Sequence, residues 1–174
     1  MNNESRIKEL LIKVCERTIG ILSYVFPFLE ISQYFAKKVV FSTENLAVQT
    51  FYMRHINTPV EMYQRNPYFA FALMVGIFFI CSRGYIALTK YVRFNVIQAI
   101  LLSIVCSCTG QILEIYIPVF IRESTIGLAI KNFVFLGVLV LIGYSSILIA
   151  YGRYPNIPVI SEAARIQVQR SSYQ

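Results

Sequence analysis

The chain has 174 residues, is 56% hydrophobic, and sets sixteen Lys and Arg against nine Glu and no Asp, for a net charge of +7. That length leaves no room for a soluble domain beside a membrane one. In so apolar a chain the basic excess argues for helix anchoring at lipid headgroups and against nucleic acid as a partner. The four cysteines, Cys15, Cys81, Cys106 and Cys108, include no pair at metal-ligand spacing, and Cys106 and Cys108 do not face each other on a helix. Neither a metal centre nor a disulfide framework is expected.

The start, MNNESRIKELLIKVCER, holds three glutamates, unlike a transit peptide, and lacks the short apolar core of a signal peptide. Ile7, Leu10, Leu11, Val14 and Cys15 recur at helical spacing, with Lys8, Glu9, Lys13, Glu16 and Arg17 opposite them. This predicts an amphipathic N-terminal helix that either lies at the interface or extends the first span. The span itself covers residues 18–35, and Pro27 should kink it.

A polar connection follows from Lys37 to Asn66, in which Ala47, Val48, Phe51, Tyr52 and His55 share a face and predict a short interfacial helix. The second span is expected over 67–88, with Arg83 snorkelling from one end, and the third over about 96–118. The fourth, 133–151, is nineteen residues without a charge. Each stretch is close to the roughly 20 helical residues that cross a hydrocarbon core about 30 Å thick. No segment alternates at period two as barrel strands would. The fold class is therefore all-α: one integral membrane domain over 1–174, with four transmembrane helices and a short C-terminal helix for which Ser161 is placed as N-cap.

An N-terminus on the inside puts ten Lys and Arg on inside segments and six on outside ones, which favours both termini inside. Polar residues in the spans need reasons of their own. Glu30 and Gln33 sit in the first span. Ser103, Ser107, Gln111 and Glu114 fall within an arc of about 80° on the third. Such a stripe is either a helix contact satisfied by hydrogen bonds, the commoner device, or the wall of a water-accessible path. In the fourth span Gly143, Ser146 and Ala150 share a face that would admit close packing. The only histidine, His55, has no nucleophile or Asp beside it in the sequence, and no phosphate loop or metal motif occurs, so no enzyme and no cofactor are expected.

Two strings go beyond what membrane physics requires: VRFNVIQAILL, from Val92 to Leu102, and GRYPNIPVISEAARIQV, from Gly152 to Val168. Together they resemble the Tic-twenty family, the twenty-kilodalton subunit of the translocon at the chloroplast inner envelope, which has cyanobacterial relatives. The matching residues include Arg93, Asn95, Gln98, Pro158, Ser161 and Glu162, with Tyr24, Pro27, Glu30, Gln33 and Tyr34 in the first span. The chain departs from the family at Lys90 and Tyr91, where a His often stands, and over 38–66 and 119–131. The resemblance implies an inner-envelope protein with stromal termini, or a cyanobacterial plasma-membrane homologue. It also implies a role in the protein-conducting path, with other translocon subunits, translocating preproteins and lipid as partners. Four helices enclose little space, so such a path calls for partner subunits or a homo-oligomer. A small-molecule or ion transporter, or a pure scaffold, remains the competing reading.

Cysteines added at the two ends should label from the same side of sealed vesicles; opposite accessibility would exclude an even number of spans.

Overall fold

The computed structural model describes residues 3–83, 88–122 and 124–170, and among these there is no strand. The first helix, α1 (Asn3–Ser23), continues through α2 (Val25–Ile31), a π-helical stretch (Ser32–Ala36) and α3 (Lys37–Phe41). From Arg6 to Phe41 this is one membrane-spanning rod of 36 residues, about 54 Å at the rise of an α-helix. The amphipathic lead-in thus extends the span, and every residue from Arg6 to Cys15 is exposed. The disturbance expected from Pro27 falls at Tyr24, where a turn separates α1 from α2 and the Tyr24 amide bonds Ile21 O at 3.0 Å instead of continuing the α pattern. The proline ring crowds the carbonyl four residues back, that of Ser23.

The connection that follows is more regular than its polarity predicts. After Asn45, whose side chain caps the Ala47 and Val48 amides, α4 (Leu46–Phe51), a π stretch (Tyr52–Ile56) and α5 (Asn57–Arg65) form one helix. Of the predicted face only Tyr52 is buried; Phe51 and His55 pair their rings on the exposed side, 5.0 Å apart.

At Asn66 the chain turns 88° into α6 (Pro67–Arg83). This helix has seventeen residues and reaches the length of a span only together with the helix before it. The second span was expected to run on to Leu88, which is not helical, while residues 84–87 lie outside the described part.

The third span is α7 (Lys90–Gln111) with a π end (Ile112–Tyr116), capped by Thr89 Oγ1 on the Val92 amide. It begins earlier than expected because a basic first turn is compatible with a helix at headgroup depth. It stops at Ile117, whose extended backbone is what a following proline imposes. A short α8 (Val119–Arg122) leads to α9 (Thr125–Ala150), which starts eight residues before the predicted span, at the Ser124 cap on Gly127 N. The last described helix is α10 (Ile160–Arg170).

α7 is the axis of the bundle, packing against α1, α2, α6 and α10. One apolar cluster joins Tyr24, Ile31 and Phe35 to Ala99, Leu102 and Ile149; the other joins Met74 and Cys81 to Val96, Ile97, Ala164 and Val168. The C-terminal helix is therefore an integral wall of the core. On α9 the packed residues are Phe135, Ser145 and Ile149, whereas Gly143 and Ala150 face outward and Gly143 has open space around it. The small-residue face expected to pack does not, because the bulkier ridge fills the gap beside α1.

Two charged layers bound the bundle. Arg17, Arg93 and the carboxyl ends of α6 and α9 form a proximal layer; Lys38, Glu114, Arg122 and Lys131 form a distal one. Arg17 to Lys38, and Arg93 to Glu114, are each twenty-one residues, about 32 Å of helix and close to a bilayer core.

Gly110 lets the Tyr34 ring lie directly on α7, since an added Cβ would sit 2.3 Å from Tyr34 Cδ2. Gly110→Ala should lower stability by about 1–3 kcal/mol through overpacking, seen as a lower Tm in detergent. Gly137→Ala, which meets nothing within 4 Å, should not.

Candidate functional site

Every residue from Val92 to Ile100 is buried, polar and apolar alike. Arg93 explains its place through the carbonyls it meets: Nε donates to Cys81 O at 2.7 Å and an Nη to Ser82 O at 3.3 Å. The guanidinium thus satisfies the orphan carbonyls closing α6 and opposes the negative end of that helix dipole. Arg17 serves α9 in the same way, donating to Ala150 O at 3.0 Å, and the Tyr91 hydroxyl donates to Ile149 O at 3.1 Å.

One turn deeper, Asn95 donates through Nδ2 to Tyr91 O at 2.9 Å and packs beside Gly20. Its Oδ1 finds no protein partner, nor do either polar atom of Gln98, the Tyr24 and Ser145 hydroxyls or that of Ser32. The Tyr24 hydroxyl, carried on the turn between α1 and α2, lies near Ser145 of α9. Unsatisfied groups of this kind cost about 1–3 kcal/mol each, and bound water is the usual remedy.

The second polar region lies in the distal half. Glu30 is 4% exposed; its Oε1 accepts from Gln33 Nε2 at 2.7 Å and its Oε2 from the Tyr63 hydroxyl at 2.5 Å. Gln64 Nε2 donates to Gln33 O at 3.0 Å, so α5 is tied to the first span at two successive residues. These groups border a cleft of about 410 Å³ shared with Ser107, Gln111, Tyr68 and Phe71. Gln111 Nε2 donates to Ser107 Oγ at 3.3 Å, while Ser103, further in, is sealed and donates to Ala99 O. Tyr63 is also a wall of a neighbouring apolar groove of about 630 Å³ between Leu22, Leu29, Met62 and Phe69. A π stretch carries Gln33 and Tyr34, an insertion often found where side chains are re-aimed for function.

The stripe on the third span divides in two. Ser107 and Gln111 line the cleft that Glu30 borders, whereas the π turn at its end carries Glu114 to the distal layer. There Glu114 meets Lys38 Nζ at 3.1 Å, Lys131 Nζ at 3.3 Å and an Arg122 Nη at 3.6 Å, and Arg122 also donates to the Glu114 carbonyl. One carboxylate thereby joins α3, α8 and α9. A single polar face from Ser103 to Glu114, read at 100° per residue, therefore does not exist.

In the C-terminal string, Ser161 does not cap α10. Its Oγ accepts from the Ile157 amide at 2.6 Å and donates to Pro155 O at 3.2 Å, buried beneath the loop. The residue before the helix is Val159, at φ 66°, so the chain enters α10 through a left-handed turn and Ser161 ties that turn down. Pro158 is exposed, and Glu162 lies in the first turn of α10, where its charge suits the dipole. Sequence reasoning missed Tyr63, Arg17 as a cap, and Lys131. Tyr63 lies beyond the periodic face read in that connection, and the two cations read as ordinary anchors.

Fold and site define a polytopic helical membrane protein with a buried polar axis and a cleft let into its distal half. Among the described residues no three His, Cys, Asp or Glu side chains are grouped to hold a metal. The family model described as "Chloroplast import apparatus Tic20-like" matches residues 13–164, and the chain belongs to the Tic20 family. It is 31% identical over 97% of its length to the Tic20 family protein Ycf60 of Porphyra purpurea, covering 83% of that protein. It is 27% identical to a Tic20 family protein of Synechocystis, covering 88% of this chain and 93% of that one. To Protein TIC 20-v, chloroplastic, of Arabidopsis thaliana it is 25% identical, with 88% and 71% covered. No solved structure matches it.

Arg93→Gln removes the guanidinium from two helix-closing carbonyls in a buried place, at a cost of about 1–3 kcal/mol. Detergent-solubilised protein should show a clearly lowered Tm and earlier protease cleavage near Arg83, whereas the exposed Arg153→Gln should match the parent.

Proposed function

We propose that this protein is a subunit of the preprotein translocon of the plastid inner envelope membrane, with both termini in the stroma and the distal layer facing the intermembrane space. Family membership supports a role in plastid protein import. The observation that carries the finer reading is the polar cleft bordered by Glu30, Gln33, Ser107 and Gln111, set within the membrane-spanning helices and wide enough for side chains of a passing segment. Its volume is that of a small-ligand site, so the cleft is one wall of a path that partner subunits or further copies of this chain complete. The chemistry is passive: hydrogen-bonding groups replace water for an unfolded chain, and the driving force comes from elsewhere. The same arrangement would serve in the plasma membrane of a cyanobacterium; Synechocystis has a Tic20 family protein.

A photoreactive residue at Gln111 should crosslink to a preprotein arrested in transit, and one at Val140 on the exposed face of α9 should not. Depletion should slow stromal import while binding at the outer envelope persists. Normal import with reduced flux of a metabolite or ion would favour a transporter; crosslinks only to resident subunits would favour a scaffold.

A further inference from the structure

The second span is shorter than the others, and the helix before it descends into the membrane. The carboxyl end of α5 is fixed in depth by its bonds from Tyr63 to Glu30 and from Gln64 to Gln33 O. Glu30 lies thirteen residues from Arg17 and eight from Lys38, about 20 Å from the proximal layer and 12 Å short of the distal one. α6 agrees independently: its seventeen residues give about 26 Å from Arg83 back to Pro67, against about 32 Å for the neighbouring spans. The 88° turn at Asn66 then lays α4 and α5 across the top of α6.

Beside the apolar groove of Met62 and Phe69, the turn itself exposes polar and tyrosyl groups. Gln64, Arg65 and Asn66 are exposed at the turn, and Tyr68 is 89% exposed in the first turn of α6. Charged and amide groups in hydrocarbon are costly, and Tyr marks the membrane–water interface. A span too short for its bilayer is accommodated by thinning of the bilayer or by snorkelling of its flanking residues.

We propose that the distal leaflet is thinned beside α5 and α6, so that phospholipid headgroups and water descend to the Arg65–Tyr68 turn and meet the mouth of the Glu30 cleft. The partner is the lipid surface itself, engaged by Arg65 and the tyrosine edge. Elsewhere on the bundle, as along α9, the leaflet keeps its full depth. This requires only that the chain spans a membrane; it does not depend on what passes through the cleft.

Two exposed positions of matched depth test it. Tyr68 lies fifteen residues from Arg83, and Leu136 fourteen from Ala150, both about 21–23 Å from the proximal layer. A nitroxide is attached to a cysteine at either site in full-length protein whose Cys15 and Cys108 are replaced by Ala, reconstituted in phosphatidylcholine vesicles. Signal from the retained buried cysteines is measured in the parent and subtracted. The expected result is that the Tyr68 label collides mainly with a water-soluble nickel chelate and the Leu136 label mainly with oxygen. Oxygen-dominated relaxation at both sites overturns the proposal. So does a Tyr68 label that neither reagent reaches, which would mean that protein covers the turn. A label at Arg65, with the same expectations, keeps the test readable if Tyr68→Cys fails to assemble.

Discussion

The bundle is organised by one constraint: α7 carries Arg93, Asn95 and Gln98 into a region where no side of the helix can face lipid. A helix with an arginine and two amides within two turns has to be surrounded, and its neighbours are placed to do so. α1 and α2 cover the Asn95 side, α6 and α10 the side of Val96 and Ile97. The uniform burial from Val92 to Ile100 is the result. It accounts for a sequence feature that periodicity alone does not, since a helix buried all round has no amphipathic pattern to read.

Electrostatics then fixes how the helices end. At the proximal layer two arginines on ascending helices each take up the last carbonyls of a descending one: Arg17 for α9, Arg93 for α6. At the distal layer the logic is inverted, with the single carboxylate of Glu114 gathering cations from three elements. Because the two layers are about 32 Å apart along α1–α3 and α7, they set the depth of the bundle without any aromatic girdle of Trp, a residue the chain lacks.

Much of this was legible in the sequence, for reasons that differ by element. The fourth apolar run has no alternative to a membrane helix, and α6 begins at Pro67 as its composition predicts. Helix ends were less readable: the third and fourth spans start early because Lys90 and Lys131 lie within helices, where hydropathy alone would stop them. The short helix expected around Ala47–His55 is there, but its polarity hid how far it runs, to Arg65, and with that the Tyr63 bond to Glu30. The stripe failed at Glu114 because a π turn breaks the 100° spacing that the sequence argument assumed. Ser161 had the composition of a cap, but the positive φ at Val159 gave it a different task.

The packing of α10 against α6 and α7 bears on biogenesis. A ribosome delivers residues 160–170 after α1 to α9, so the flank of α7 formed by Val92, Val96 and Ile97 stays unsealed until α10 emerges. Insertion of the helices and completion of the fold are thus separate events in time. Between them the nascent protein carries an open seam beside its central helix, which insertion factors or lipid must cover until α10 closes it.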